Sequence, residues 1–150
     1  MTVLQSSFLT TPDCAPILSA LHEQTFSPAW TTEEFTDLLK TPGALVQILS
    51  VGEEPAGFCF YRLMSDEAEI LTLAVLPDHR RRSYGENILI EGCRQLKEHK
   101  IRSLFLEVSV SNEAARRLYE KSGFQEAGRR RNYYREGDLK VDALILKKAL

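Results

Sequence analysis

Two side chains in this sequence stand where acid–base work could be done. Glu107 interrupts the apolar run Leu104-Phe105-Leu106-Glu107-Val108. Glutamate is depleted in strands, and by alternation it faces opposite to Leu104, Leu106 and Val108. The pattern leaves two readings open. Glu107 is a structural carboxylate, paired with an arginine or turned to an edge, or it accepts a proton from a group such as an ammonium that must become a nucleophile. An α-ammonium has a reference pKa of about 7.7–8.0, within reach of a modest base acting directly or through water. Tyr119 shares a helix face with Ala115, Leu118 and Ser122. A tyrosine there is a core residue or a general acid. A phenol with a reference pKa of about 10 can protonate a basic leaving group without large retuning.

A third feature could hold an anion. Glu69–Leu76 reads as a buried strand, Pro77-Asp78 breaks it, and Arg80-Arg81-Arg82-Ser83-Tyr84-Gly85 leads into a helix over 83–100. Gly85, Ile88, Leu89, Gly92, Cys93 and Leu96 recur at helical spacing and make one apolar or small face. The first N–H groups of a helix lack internal partners and carry partial positive charge, so a phosphate can bind there with arginine support. The alternative is a solvated arginine run on a surface loop.

The elements that must position these residues follow in chain order. Val3–Leu9 reads as a first strand. Pro12–Gln24 carries Ile17, Leu18 and Leu21 at helical spacing, with Asp13 as a cap. Phe26 and Trp30 lie in a loop, where they either border an acceptor site or close the core. Thr31 or Thr32 caps a second helix that Pro42-Gly43 ends. Ala44–Ser50 and Ala56–Met64 read as a hairpin, and Ser65-Asp66 as the next turn. Arg102–Val108 is a strand; Asn112 caps a helix that runs to Ser122, where Gly123 stops it. Phe124 onward is extended to a turn at Glu136-Gly137-Asp138, with Lys140–Lys147 as the last strand. The fold class is α/β: a mixed, mostly antiparallel sheet of six or seven strands flanked by about four helices.

Composition narrows the function classes. One domain over 1–150 is expected, and a chain of this length can bury roughly 70% of its unfolded surface. Hydrophobic content of 43%, charged content of 27% and a net charge of −2 fit an ordinary soluble protein. Bulk attraction to nucleic acid is not expected; positive charge is local, at Arg80–Arg82 and Arg129–Arg131. Three cysteines without metal spacing suit a reducing cytoplasm. Cys59 and Cys93 are thiols that could carry an acyl group, but both fall on core positions. His22, His79 and His99 are scattered, so no metal is expected, and neither a secretion signal nor a membrane span is expected.

Leu71–Leu76, Pro77 and Arg80-x-x-Ser83-x-Gly85 resemble the acyl-CoA motif of the GCN5-related N-acetyltransferases, the GNAT family. That motif is Arg/Gln-x-x-Gly-x-Gly/Ala after an Ala-Val-x-Pro strand. More specifically, Leu104–Val108, Ser111-Asn112-x-Ala114-Ala115-x-x-Leu118-Tyr119-Glu120, Gly123-Phe124 and Arg130-Arg131-Asn132-Tyr133-Tyr134 resemble the ribosomal-protein-alanine N-acetyltransferases. The likeness runs from about residue 26 to the C-terminus. It implies that acetyl-CoA is the co-substrate, that Glu107 is the general base and Tyr119 the general acid, and that Asn112 contacts coenzyme A. It further implies that the backbone of Leu73, Ala74 and Val75 pairs with the pantetheine arm. Arg80, Arg81, Arg82, Ser83, Tyr84, Gly85 and Glu86 then form the pyrophosphate loop, and the acceptor is a protein N-terminus, that of a ribosomal protein. Three positions depart from the pattern or raise a question. Ser83 stands where glycine is usual, and its Cβ would crowd a pyrophosphate. The Glu86 carboxylate would repel one. Ser109 stands where arginine is common. Another amine as acceptor, or a non-catalytic binding module of the same fold, are the alternative functions.

Overall fold

The computed structural model describes residues 3–150. Its strands are β1 (Leu4–Leu9), β2 (Ala44–Val51), β3 (Glu54–Met64), β4 (Glu67–Val75), β5 (Ser103–Ser109), β6 (Gln125–Glu136) and β7 (Leu139–Ala149). Its helices are α1 (Ala15–Glu23), α2 (Thr32–Leu39), α3 (Tyr84–Glu98) and α4 (Glu113–Lys121). The strands form one seven-stranded sheet in the order β1-β2-β3-β4-β5-β7-β6. Every neighbouring pair is antiparallel except β4 and β5, which are parallel. The crossover between those two strands is α3. One face of the sheet packs on α3 and α4 through Ile88, Leu89, Leu96 and Tyr119. The other packs on α1 and α2 through Leu18, Leu21, Phe35 and Leu39.

Local chemistry explains most boundaries. Thr31 and Glu34 form a reciprocal capping box at the start of α2, each side chain accepting from the other's backbone N–H. Asn112 Oδ1 accepts from Ala115 N–H at 3.2 Å to cap α4, and Gly123, at φ +96°, stops it. The expected helix over 12–24 is corrected: a 3-10 turn, Pro12–Cys14, precedes α1, and Asp13 lies in that turn and caps nothing. Proline in the first turn of each segment already removes an N–H that would otherwise need a cap.

β4 also differs from the expected buried strand, because its residues alternate between buried and half-buried. Its pairing with β3 slips between Phe60↔Thr72 and Tyr61↔Ile70, leaving Leu71 as a bulge. A bulge bends the strand and shifts its side-chain parity. Ala68 and Ile70 face α3 before it, Leu73 and Val75 face α3 after it, and Leu71 and Ala74 turn to the other side. The pairing of β4 with β5 stops at the same place, Ile70↔Leu106.

α3 is held to the sheet by a buried polar pin. Gln47 is fully buried. Its Oε1 accepts from the Tyr61 hydroxyl at 2.7 Å, and its Nε2 donates to the Ile88 carbonyl and to Ser6 Oγ, both at 3.0 Å. Gly92 is the clearance that lets the helix sit so close: a Cβ there would lie 2.0 Å from the Tyr61 hydroxyl oxygen.

Candidate active site

Where β4 and β5 part, the sheet opens into a cleft of about 290 Å³. Beyond Ile70, one edge of β4 has no strand beside it, so its backbone groups there are left to solvent or a ligand. Leu73 lines this opening, and so do Glu107, Asn112, Tyr119 and Tyr134. Burial along β5 alternates as expected, with Leu104, Leu106 and Val108 buried and Glu107 on the opposite face. Tyr119 arrives from α4, buried and edge-on to Phe124 at 5.4 Å between centroids. Both acid–base candidates therefore meet in one cleft.

Their surroundings differ. Glu107 Oε1 forms an ion pair with Arg130 Nε at 3.1 Å, so the structural alternative for this carboxylate is met in part: it is paired, and it also lines the cleft. Burial pushes the Tyr119 phenol well above its ordinary value, with Cys59 and Tyr134 adding to the rise. It is thus a firmer proton holder than an unperturbed phenol. Tyr134 is raised by burial and by the nearby Glu107.

A second cavity of about 270 Å³ lies at the front of α3, lined by Val75, Arg80, Arg81, Ser83–Glu86 and Leu118. The first bond inside the helix runs from Asn87 N–H to the Ser83 carbonyl at 3.0 Å, and Ser83 offers no side-chain cap. The N–H groups of Tyr84, Gly85 and Glu86 are consequently free for an anion. Arg81 and Ser83 are both left-handed, at φ +62° and +61°; turns of this kind point successive N–H groups inward. Gly85 packs against α4, where a Cβ would lie 3.0 Å from Leu118 Cδ2. Glu86, which lines this cavity, forms an ion pair with Lys121 Nζ at 2.8 Å, so its charge is partly balanced there. Arg80 Nε donates to the Val75 carbonyl at 3.1 Å and so braces the end of β4. Arg82 lines neither cavity, and the Ala74 side chain is buried on the α1–α2 side, leaving only its backbone for a ligand. The residues present fit a pyrophosphate beside an extended amide-bearing arm.

Ser83 pays for its left-handed backbone, which glycine adopts without penalty. Ser83→Gly is expected to raise stability by about 0.5–1 kcal/mol and to strengthen coenzyme A binding by removing a Cβ beside the phosphates. Thermal melts and calorimetric titration check both. An unchanged or weaker Kd would show that the serine makes a contact of its own.

The loop aromatics divide between the two expectations. Phe26 is 41% exposed and lies at the cleft lip, whereas Trp30 closes the core. Between them stands buried His22, stacked on Phe26 at 4.2 Å and on Trp30 at 5.0 Å, with Nδ1 accepting from Trp30 N–H at 2.9 Å. Burial lowers its pKa, as a neutral acceptor requires. The roles of His22, Arg130, Tyr134 and Lys121 were not read from the sequence; the aromatic residues at 26, 30 and 35 were the available signal for His22. Cys59 and Cys93 are buried core thiols. Among the described residues no group of His, Cys, Asp and Glu could hold a metal, and no helix is long and apolar enough to cross a membrane.

Several known proteins are similar to this chain in sequence and fold. The pattern of the Acetyltransferase (GNAT) family matches residues 15–124. A Bacillus subtilis protein provisionally named a [ribosomal protein bS18]-alanine N-acetyltransferase is 35% identical over 127 residues, 84% of this chain and 83% of its own. The [ribosomal protein bS18]-alanine N-acetyltransferase of Escherichia coli is 41% identical over 91 residues, 61% of this chain and 62% of its own. The crystal structure of the ribosomal-protein-S18-alanine N-acetyltransferase from Escherichia coli superposes with a TM-score of 0.88 at 31% identity, covering 98% of this chain and 94% of that one. With a parallel strand pair that separates beside a basic helix N-terminus, and with relatives this similar along most of its length, the chain belongs to the GNAT family of acetyltransferases.

Proposed function

We propose that this protein transfers the acetyl group of acetyl-CoA to the N-terminal α-amine of a ribosomal protein, at an N-terminal alanine, by direct attack within a ternary complex. The observation that carries the reading is the meeting of Glu107 and Tyr119 in the cleft where β4 leaves β5, next to the cup at the front of α3. The names borne by the relatives in Bacillus subtilis and Escherichia coli support the acceptor. Acetyl-CoA supplies an activated acyl group as a thioester. Its pyrophosphate is expected at the N–H groups of residues 81–86, and Asn112 and the open edge of Leu73–Val75 would hold the arm.

Glu107 accepts a proton from the acceptor ammonium. The freed amine lone pair forms the new C–N bond at the thioester carbonyl. Free N–H groups on the open edge of β4 face the charge that develops on the carbonyl oxygen. Tyr119 donates its proton to sulfur as the C–S bond breaks, and the newly bonded nitrogen gives up its second proton to the Tyr119 phenolate or to water, leaving an amide and a thiol. Holding both reactants in one cleft supplies much of the rate. A cytoplasmic setting, with the three cysteines unpaired, belongs to the same reading.

The test is intact-mass analysis of purified ribosomal proteins after incubation with acetyl-CoA and this protein. One acetyl group on an N-terminal alanine is the expected product. Acetylation confined to lysine side chains would overturn the acceptor, and coenzyme A binding without any product would favour the non-catalytic module.

A further inference from the structure

Glu107 shares its end of the cleft with a linked set of side chains. Arg130 reaches its Oε1 through Nε, and the guanidinium also lies over the Tyr133 ring, 4.9 Å from the centroid. Tyr133 in turn meets Tyr134 edge-on at 5.1 Å, and Tyr134 lines the cleft. An irregularity in β6 produces this grouping. Arg130 pairs with Ala143 and Tyr134 with Val141, so residues 131–133 stand against Asp142 alone. In a regular strand, residues 130 and 134 would be about 13 Å apart along one face; the bulge shortens that span and gathers both at Glu107. Asp142 staples the bulge, accepting from Asn132 N–H at 2.9 Å and from Arg129 Nη1 at 3.3 Å, with Asn132 at φ +54°.

Stability gives a weak reason for this construction. The Arg130 side chain is 52% exposed, and ion pairs of that exposure contribute little to folding. The contact instead restricts a carboxylate that is only 20% exposed. It uses one oxygen of Glu107 and one edge of a planar guanidinium, which the Tyr133 face keeps from swinging away. A carboxylate gripped at one oxygen has one remaining position for the other.

We infer that Arg130 is a positioning residue: it grips Glu107 Oε1 so that Oε2 is presented to the acceptor amine, and Tyr133 and the Asp142-stapled bulge hold Arg130 in turn. This inference rests on Glu107 being the proton acceptor. Arg130→Met keeps the stem and removes the grip, whereas Arg130→Lys keeps a cation without the planar stack. Each is made in the natural chain and in Glu107→Gln, with kcat and KM measured on an N-terminal alanine peptide and acetyl-CoA affinity measured separately. Arg130→Met is expected to lower kcat about ten- to a hundredfold, with acetyl-CoA affinity and melting temperature unchanged, and Arg130→Lys to recover part of the loss. In the Glu107→Gln background, Arg130→Met is expected to cost nothing further in kcat. An equal loss in both backgrounds, or an unchanged kcat beside a crippled Glu107→Gln, overturns this inference alone. A fully active Glu107→Gln overturns the general-base reading and this one with it.

Discussion

Glu107→Gln lowers the acetylation rate by about 10²–10⁴ near neutral pH, the range for one general base. Glutamine keeps the shape and loses the proton acceptor. Below the amine's own pKa the acceptor arrives as an ammonium with no lone pair, so the variant must wait for the small fraction deprotonated in bulk solution. Raising the pH through about 7.7–8.0 enlarges that fraction. The variant therefore recovers part of its rate as the pH rises, while the natural chain gains less. Coenzyme A affinity is unchanged, because Glu107 is not among the residues that line the cup at the front of α3. Steady-state rates from pH 6 to 9.5, with calorimetric binding of coenzyme A as the control, check this. Near-full activity in a folded variant would leave Glu107 as a paired strand carboxylate and nothing more.

Tyr119→Phe also loses about 10²–10⁴, but with a different pH signature. Phenylalanine keeps the edge-on contact with Phe124 and removes only the hydroxyl. Because burial raises the Tyr119 phenol, the natural chain keeps its proton across the assay range. Without it the sulfur must leave as a bare thiolate. Alkaline buffer leaves that departure no easier, so the loss is not rescued. Stability sets the upper limit of such assays. Burial also raises Cys59 and Tyr61, so the unfolded chain releases these protons before the folded one does. Their stabilisation is complete below the unfolded thiol value of about 8.5 and declines as the pH climbs past it and past about 10 for the phenols. Circular dichroism at each pH separates lost chemistry from lost fold.

What could be read from the residues was local. The small and apolar spacing from Gly85 to Leu96 marked α3 within two residues of its ends, and Asn112 and Gly123 bounded α4 because each does its work on neighbours a turn away. Glu107 and Tyr119 stood out by type and alternation, and both do reach one cleft. Features that depend on pairing were not legible. The Leu71 bulge exists only in the register of β4 against β3, and the grip of Arg130 on Glu107 spans β5 and β6 with β7 between them. Ser83 carried a partial signal. Its departure from glycine suggested crowding at a ligand, and the structure adds a left-handed backbone as a second reason why glycine would suit that position.

The pin beneath α3 has an evolutionary consequence. Alanine at 92 collides with the Tyr61 hydroxyl. Phenylalanine at 61 removes the hydroxyl but still leaves that alanine Cβ 2.8 Å from Gln47 Oε1, which is now buried without its donor, and leucine at 47 leaves the Tyr61 hydroxyl without its Gln47 acceptor. Each orphaned group costs about 1–3 kcal/mol, a large share of the 5–15 kcal/mol that holds a domain folded. Substitution at these three positions is therefore epistatic: single steps are penalised and only matched changes are neutral. Residues 47, 61 and 92 are expected to change only as a set, keeping α3 fixed to the sheet.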